Sequence, residues 1–121
     1  MRIVIADDAE MYLRLLREVF DSHPGFQVVA AVSTGEEALE RVESARPDVL
    51  VCDIDLPALD GLQVAAELHA RKSPTKTVLI SSHMEKGYQR LAESSGAFAF
   101  MSKAGFSPDR LLTVLQSGTQ P

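Results

Sequence analysis

Five times along its 121 residues the chain passes from a short apolar run into a stretch with helical spacing. The runs are residues 2–6, 26–32, 48–52, 77–81 and 98–101, mostly continuous in apolar character rather than alternating. Unbroken apolar runs belong to strands covered on both faces, and strands separated by helices pair in parallel. Five such units with right-handed crossovers predict an α/β fold with an open, doubly wound, five-stranded parallel sheet and five helices, since a closed barrel would need eight. A chain of this length holds one core, so residues 1–121 are expected to form one domain.

The helical stretches carry their own punctuation. The first places Tyr12, Leu13, Leu16, Val19 and Phe20 on one side, with Arg14, Arg17, Glu18 and Asp21 towards water, and stops at His23-Pro24-Gly25. The second opens on Thr34-Gly35-Glu36-Glu37, a capping box, and keeps Ala38, Leu39, Val42 and Ala45 at helical spacing up to Pro47. A third follows the N-cap Asp60, with Gln63 three residues on and Leu62, Ala65, Ala66 and Leu68 inward. The fourth, around residues 85–95, has only Tyr88, Leu91 and Ala92 as an apolar stripe and ends at Gly96. The fifth starts with Ser107 as N-cap and Pro108 at its first position, then buries Leu111, Leu112 and Leu115.

Composition narrows the function classes. Twelve basic against seventeen acidic residues leave a net charge of −5, without a cluster of Lys and Arg, which speaks against a nucleic-acid surface within this module. The single cysteine, Cys52, excludes an internal disulfide and a Cys-rich zinc site, and its apolar neighbours make it a small core residue. No apolar run reaches the roughly 18 residues of a membrane span, and two carboxylates follow the first strand before a signal-peptide core could develop. A cytoplasmic protein with no membrane contact is expected. His23, His69 and His83 lie in unrelated segments without metal-ligand spacing, and neither GxGxxG nor a P-loop supports nucleotide binding.

In doubly wound sheets ligands bind beyond the carboxyl ends of the strands. Asp7 and Asp8 follow the first strand, Asp53 and Asp55 stand at the third, Ser81, Ser82 and His83 follow the fourth, and Ser102 and Lys103 follow the fifth. Each has an ordinary reading: Asp7 and Asp8 as turn or cap residues, Ser81 as a turn serine, Lys103 as a solvated loop lysine. Asp53 ends the buried run Val49-Leu50-Val51-Cys52, where an unpaired carboxylate is seldom accidental. Several carboxylates in one crevice repel, so either their pKa values rise or a cation neutralises them. Oxygen ligands of this kind suit Mg²⁺, which binds beside phosphate oxygens, and a lysine supplies the positive charge a phosphate also needs.

The order of these residues resembles the receiver domain of bacterial two-component response regulators: Asp7-Asp8, then Asp53-Ile54-Asp55-Leu56-Pro57 with Asp60-Gly61, then Ile80-Ser81-Ser82, then Lys103. The resemblance covers essentially the whole chain and implies a flavodoxin-like, CheY-like fold with strand order 2-1-3-4-5. It implies that Asp53 attacks a phosphoryl group and becomes an aspartyl phosphate. Asp8 and Asp53 would hold Mg²⁺ directly, Asp7 through water, and the Asp55 backbone carbonyl would complete the protein ligands. Lys103 would pair with one phosphoryl oxygen and the Ser81 hydroxyl with another. Ser81 and Phe100, three residues before the lysine, would form the switch that reshapes the surface of the fourth helix, fifth strand and fifth helix. Phe100 and Phe98 otherwise read simply as strand residues. The implied partners are a sensor histidine kinase or phosphotransfer protein, with a homodimer allowed on phosphorylation. The implied activity is that of a signalling phosphoacceptor rather than an enzyme on external substrates.

Departures from the family pattern matter. Ala104 follows Lys103 where many members have a cis-proline, and Asp55 and His83 stand where they would neighbour the attacking water and alter the lifetime of the phosphate. The chain runs to Pro121 without an output domain, as a stand-alone receiver or the N-terminal part of a regulator. Ser81, with no proline after Lys103, resembles the members that continue into a helix-turn-helix DNA-binding domain. A second reading is enzymatic, because Asp53-Ile54-Asp55 also looks like the nucleophile and acid of haloacid-dehalogenase-type phosphatases. There the pair follows the first strand, and a cap holds the substrate. A third is a receiver-like module that binds partners without phosphorylation.

Overall fold

The computed structural model describes residues 1–83 and 86–117. Five parallel strands, β1 (Arg2–Ala6), β2 (Gln27–Val32), β3 (Val49–Asp53), β4 (Lys76–Ser81) and β5 (Ala99–Ser102), stand in the order β2-β1-β3-β4-β5. Five helices connect and cover them: α1 (Glu10–Asp21), α2 (Gly35–Ala45), α3 (Gly61–Ala70), α4 (Lys86–Ser94) and α5 (Pro108–Ser117). The start of the fourth helix expected at Glu85 lies outside the described residues.

The continuous apolar runs have a simple cause. Successive strand residues point to opposite faces, and each face has its own core. Val4, Ala6, Leu50, Cys52, Leu79 and Phe100 pack in one cluster with Ala38, Val42, Val64 and Leu68 of α2 and α3. Ile3, Ile5, Val49, Val51, Val78, Ile80 and Met101 pack in the other with Leu16 and Phe20 of α1 and Leu111 and Val114 of α5. The central strand β3 is therefore buried at all five residues, including Asp53.

The predicted stripes needed correction in detail. Val19 is exposed, in line with exposed Met11 and Leu15 at spacings of four, and only Leu16 and Phe20 of α1 are fully inside. Ala66 faces out while Val64 takes the inner position on α3, and Leu91 of α4 is exposed, leaving Ala92 as that helix's one fully buried described residue. Asp60 and Gln63 form the reciprocal capping box of α3. Thr34 accepts the Glu37 N–H as expected, but the Glu37 carboxylate reaches past the cap to the Ser33 N–H and the two hydroxyls, so the box at α2 is not closed. Ser107 accepts the Arg110 N–H at the start of α5.

One glycine fixes how the sheet meets its ligand edge. Gly61 opens α3 directly against β3, and a Cβ there would lie 2.4 Å from the Asp53 carbonyl oxygen and 2.8 Å from the Ile54 Cα. The Gly61 N–H donates to the Ile54 carbonyl at 2.9 Å. Only the residue without a side chain lets the helix start this close to Asp53.

Candidate functional site

The carboxyl ends of β1, β3, β4 and β5 are neighbours through the sheet register, with Ala6 beside Cys52, Asp53 beside Ile80, and Ser81 beside Ser102. The side chains that follow those ends therefore converge. Lys103 Nζ lies 2.8 Å from Asp7 Oδ2 and 3.2 Å from Asp53 Oδ2, with Asp7 fully buried and the Asp53 side chain 5% exposed. The lysine expected to face a phosphate is thus already the counter-charge of two carboxylates.

Each carboxylate oxygen has a distinct task. Asp7 Oδ1 accepts the Ala9 N–H at 2.8 Å, a turn that sets the entry into α1, whose N-cap Ala9 has no capping side chain. The ordinary reading of Asp7 as a turn residue therefore holds for this oxygen. Its Oδ2 meets Lys103 as an ion pair, and this buried atom has no hydrogen-bond donor aligned with it among the described residues. Asp53 Oδ1 accepts the Asp55 N–H at 3.2 Å, and Asp53 Oδ2 accepts from Lys103.

Burial pushes the Asp53 carboxyl above its ordinary range, the Asp55 N–H acts against it, Asp7 adds to it and Lys103 opposes it. For Lys103 burial acts downward, but the Asp7 and Asp53 carboxylates outweigh it and hold the ammonium above the usual lysine range. Cys52 is buried and its thiol is pushed far up, first by burial and then by the Asp53 charge, as a core residue should be.

Asp8 is exposed at the rim. Carboxylate oxygens of Asp7, Asp8 and Asp53 lie within 4.8 Å of one another, close enough to share one metal ion. The unaligned Asp7 Oδ2 and an all-oxygen donor set fit a hard divalent cation. Asp55 is exposed, with its backbone turned into the site through the N–H on Asp53.

Ser81 is fully buried at the end of β4. Its Oγ accepts the His83 N–H at 2.9 Å, and its carbonyl accepts the Lys103 N–H at 2.9 Å, which ties the two loops together. His83 is exposed and stacks on Tyr88 of α4, with centroids 5.9 Å apart. Phe100 is buried beside Leu79 in the α2–α3 core. The peptide bond into Ala104 is trans, as are all described peptide bonds. Tyr12 was read from the sequence as a packing residue of α1, yet its ring lies under Lys103 Nζ, 4.6 Å from the centroid. An aromatic at the third helical residue after an acid pair was the one signal available.

The family model for the response regulator receiver domain matches residues 3–116. The chain belongs to this family. Among receivers with curated relatives, it is 30% identical over 120 residues to the chemotaxis protein CheY of Listeria monocytogenes, covering 99% of each chain. It is 33% identical over 105 residues to a protein-glutamate methylesterase/protein-glutamine glutaminase of Thermotoga maritima, covering 85% of this chain and 30% of that one. The chain thus spans less than a third of the length of the methylesterases it matches. Among solved structures, the signal receiver domain of the putative response regulator NarL from Mycobacterium tuberculosis superposes with a TM-score of 0.89 at 30% identity, covering 97% and 94% of the two chains. As a receiver, the chain is a module of two-component signalling, and phosphorylation on aspartate by histidine kinases is typical of such domains. None of its described helices is long and apolar enough to cross a membrane.

Proposed function

We propose that Asp53 is the phosphoacceptor of this receiver, and that Mg²⁺ and Lys103 make the transfer possible. The observation that carries the reading is the meeting of Lys103 with Asp7 at 2.8 Å and with Asp53 at 3.2 Å, from the ends of three strands. One Asp53 oxygen attacks the phosphorus of a phosphohistidine or acyl phosphate. The O–P bond forms as the donor's P–N or P–O bond breaks, and the electron pair leaves with the donor.

The ammonium of Lys103 exchanges its Asp53 contact for a phosphoryl oxygen while Asp7 keeps it in place. The Ser81 hydroxyl donates to a second oxygen. Asp8 and Asp53 would hold the metal directly, Asp7 would support it through water, and the Asp55 carbonyl would complete the set. When bound, Mg²⁺ neutralises charge on the phosphoryl oxygens and lines up donor and acceptor.

Ser81 and Phe100 then act together as the switch, since Phe100 lies in the same core as Ala92 of α4. The surface that changes is α4, β5 and α5. Such a module signals through this surface and assists only its own phosphorylation and dephosphorylation. Its phosphodonor is a sensor histidine kinase or phosphotransfer protein, and phosphorylation favours a homodimer. The output is transcription through a DNA-binding domain outside this chain, a reading supported by the 32% identity to an uncharacterized transcriptional regulatory protein of Bacillus subtilis, of which the match covers 52%. The phosphatase alternative is weakened by position, because Asp53 ends the third strand while Asp7 and Asp8 take the place after the first.

The test is intact mass after incubation with Mg²⁺ and acetyl phosphate, beside Asp53→Asn. A gain of one phosphoryl group that needs Mg²⁺ and is lost in Asp53→Asn is the expected result. No gain from acetyl phosphate or a phosphorylated kinase would favour binding without phosphorylation.

A further inference from the structure

Among the described residues, three groups surround the Lys103 ammonium: Asp7 Oδ2 at 2.8 Å, Asp53 Oδ2 at 3.2 Å and the ring of Tyr12 at 4.6 Å from its centroid. The two carboxylates follow from the site described above. The ring does not. Tyr12 is only half-buried, packed at the border of the α1–α5 core, and an aliphatic side chain would cover that border equally well. What an aliphatic side chain lacks is the negative face of a π-system, which attracts an ammonium within about 6 Å.

We propose that Tyr12 is a positioning residue for Lys103: its ring face holds the ammonium against Asp7 and Asp53, and through Lys103 it sets how fast Asp53 takes up a phosphoryl group. The proposal rests on the reading of Asp53 as phosphoacceptor. Its logic comes from what changes during transfer. Once an Asp53 oxygen bonds to phosphorus, that carboxylate loses charge and its hold on Lys103 weakens. Asp7 and the Tyr12 ring are the two contacts that persist, and they share one support. The Asp7 carboxylate accepts the Ala9 N–H at the mouth of α1, and Tyr12 is the third residue of that helix. The lysine backbone is held from the other side by its N–H on the Ser81 carbonyl. A long flexible side chain is thereby confined at its root and its tip. Burial disfavours ionisation of the Tyr12 hydroxyl, Lys103 acts the other way, and Asp7 and Asp53 add to the burial effect, so the ring stays a neutral phenol.

The experiment uses the full chain with Tyr12→Phe, Tyr12→Leu, and a series carrying mono-, di- and trifluorinated phenylalanine at position 12. Fluorination withdraws charge from the ring face with little change of shape, so it separates the π contact from packing. Two quantities are read: the rate constant of phosphoryl uptake from acetyl phosphate with Mg²⁺, and the NMR shift of the Lys103 ε-methylene, which ring current moves upfield. The expected result is a rate about fivefold lower in Tyr12→Leu, a parent-like rate in Tyr12→Phe, and a stepwise fall along the fluorinated series. The ε-methylene shift should be lost in Tyr12→Leu and kept in Tyr12→Phe. Parent rates in Tyr12→Leu, or a flat fluorinated series, overturn the proposal and leave Asp53 as phosphoacceptor. If Tyr12→Leu does not fold, the fluorinated series decides. A parent that takes up no phosphoryl group removes the Asp53 reading and the rate claim together, and the ε-methylene shift then judges the positioning contact alone.

Discussion

Replacing Lys103 by methionine keeps a long apolar stem and deletes the charge. It leaves Asp7, fully buried, and Asp53, 5% exposed, without their shared cation. Removing one partner of a buried ion pair costs about 3–5 kcal/mol. The loss has a ceiling, because the carboxylates can share a proton instead. Holding one proton at pH 7 costs about 4 kcal/mol, the distance from the ordinary aspartate value of about 3.9 at about 1.36 kcal/mol per unit. At pH 5 the same ceiling is only about 1.5 kcal/mol. The sign follows from proton counting. Burial already raises Asp53, and loss of Lys103 raises it further, so the native state keeps a proton that the unfolded chain releases. Stability is then fully present below the ordinary carboxylate value and lost as pH rises through the raised one. For a domain of this size about 1 kcal/mol moves Tm by about 4 °C. Lys103→Met in EDTA should therefore melt about 12 °C below the parent at pH 7 and no more than about 6 °C below at pH 5. Circular dichroism melts at the two pH values measure this, and Mg²⁺ should recover most of the deficit at pH 7. A deficit under about 3 °C at pH 7, or one that is equal at pH 5, would refute the assignment of Lys103 as the counter-charge of both carboxylates.

Gly61→Ala drives a Cβ into the Asp53 carbonyl, so it should slow phosphoryl uptake at Asp53 as well as lower Tm, and an unchanged uptake rate would show that α3 can shift without disturbing β3. Asp8→Asn removes the exposed carboxylate of the acidic cluster, and Mg²⁺ titration by calorimetry should weaken about tenfold with little change in metal-free Tm. Asp55→Asn removes a negative side chain beside the site while its N–H on Asp53 remains, so loss of the phosphoryl group from Asp53 should change in rate, and an unchanged decay followed by intact mass would remove that role. Leu50→Ala empties a fully buried position in the central layers and should cost about 2–5 kcal/mol by urea unfolding, whatever the state of the site.

The alternation of apolar runs and helical stripes was enough to determine the parallel, doubly wound sheet, because a strand covered on both faces is apolar along most of its length. The acids, hydroxyls and lysine at the strand ends were legible for a related reason: each follows a run whose direction in the sheet is known, so their common edge is known. Asp60 with Gln63 and Ser107 with Pro108 marked helix starts that depend only on neighbours in the chain.

The tertiary structure decided what depends on distance across the sheet. That Lys103 neutralises Asp7 and Asp53 directly, rather than waiting for a phosphate, follows from contacts of 2.8 and 3.2 Å, the one to Asp53 across 50 positions of chain and the one to Asp7 across more. Val19 and Leu91 looked like core residues because spacing identifies a face of a helix without saying how much of it the sheet covers. Tyr12 was legible only as part of such a face. Its ring became part of the site once folding carried the end of β5 over the first turn of α1, and no pattern within either segment records that meeting.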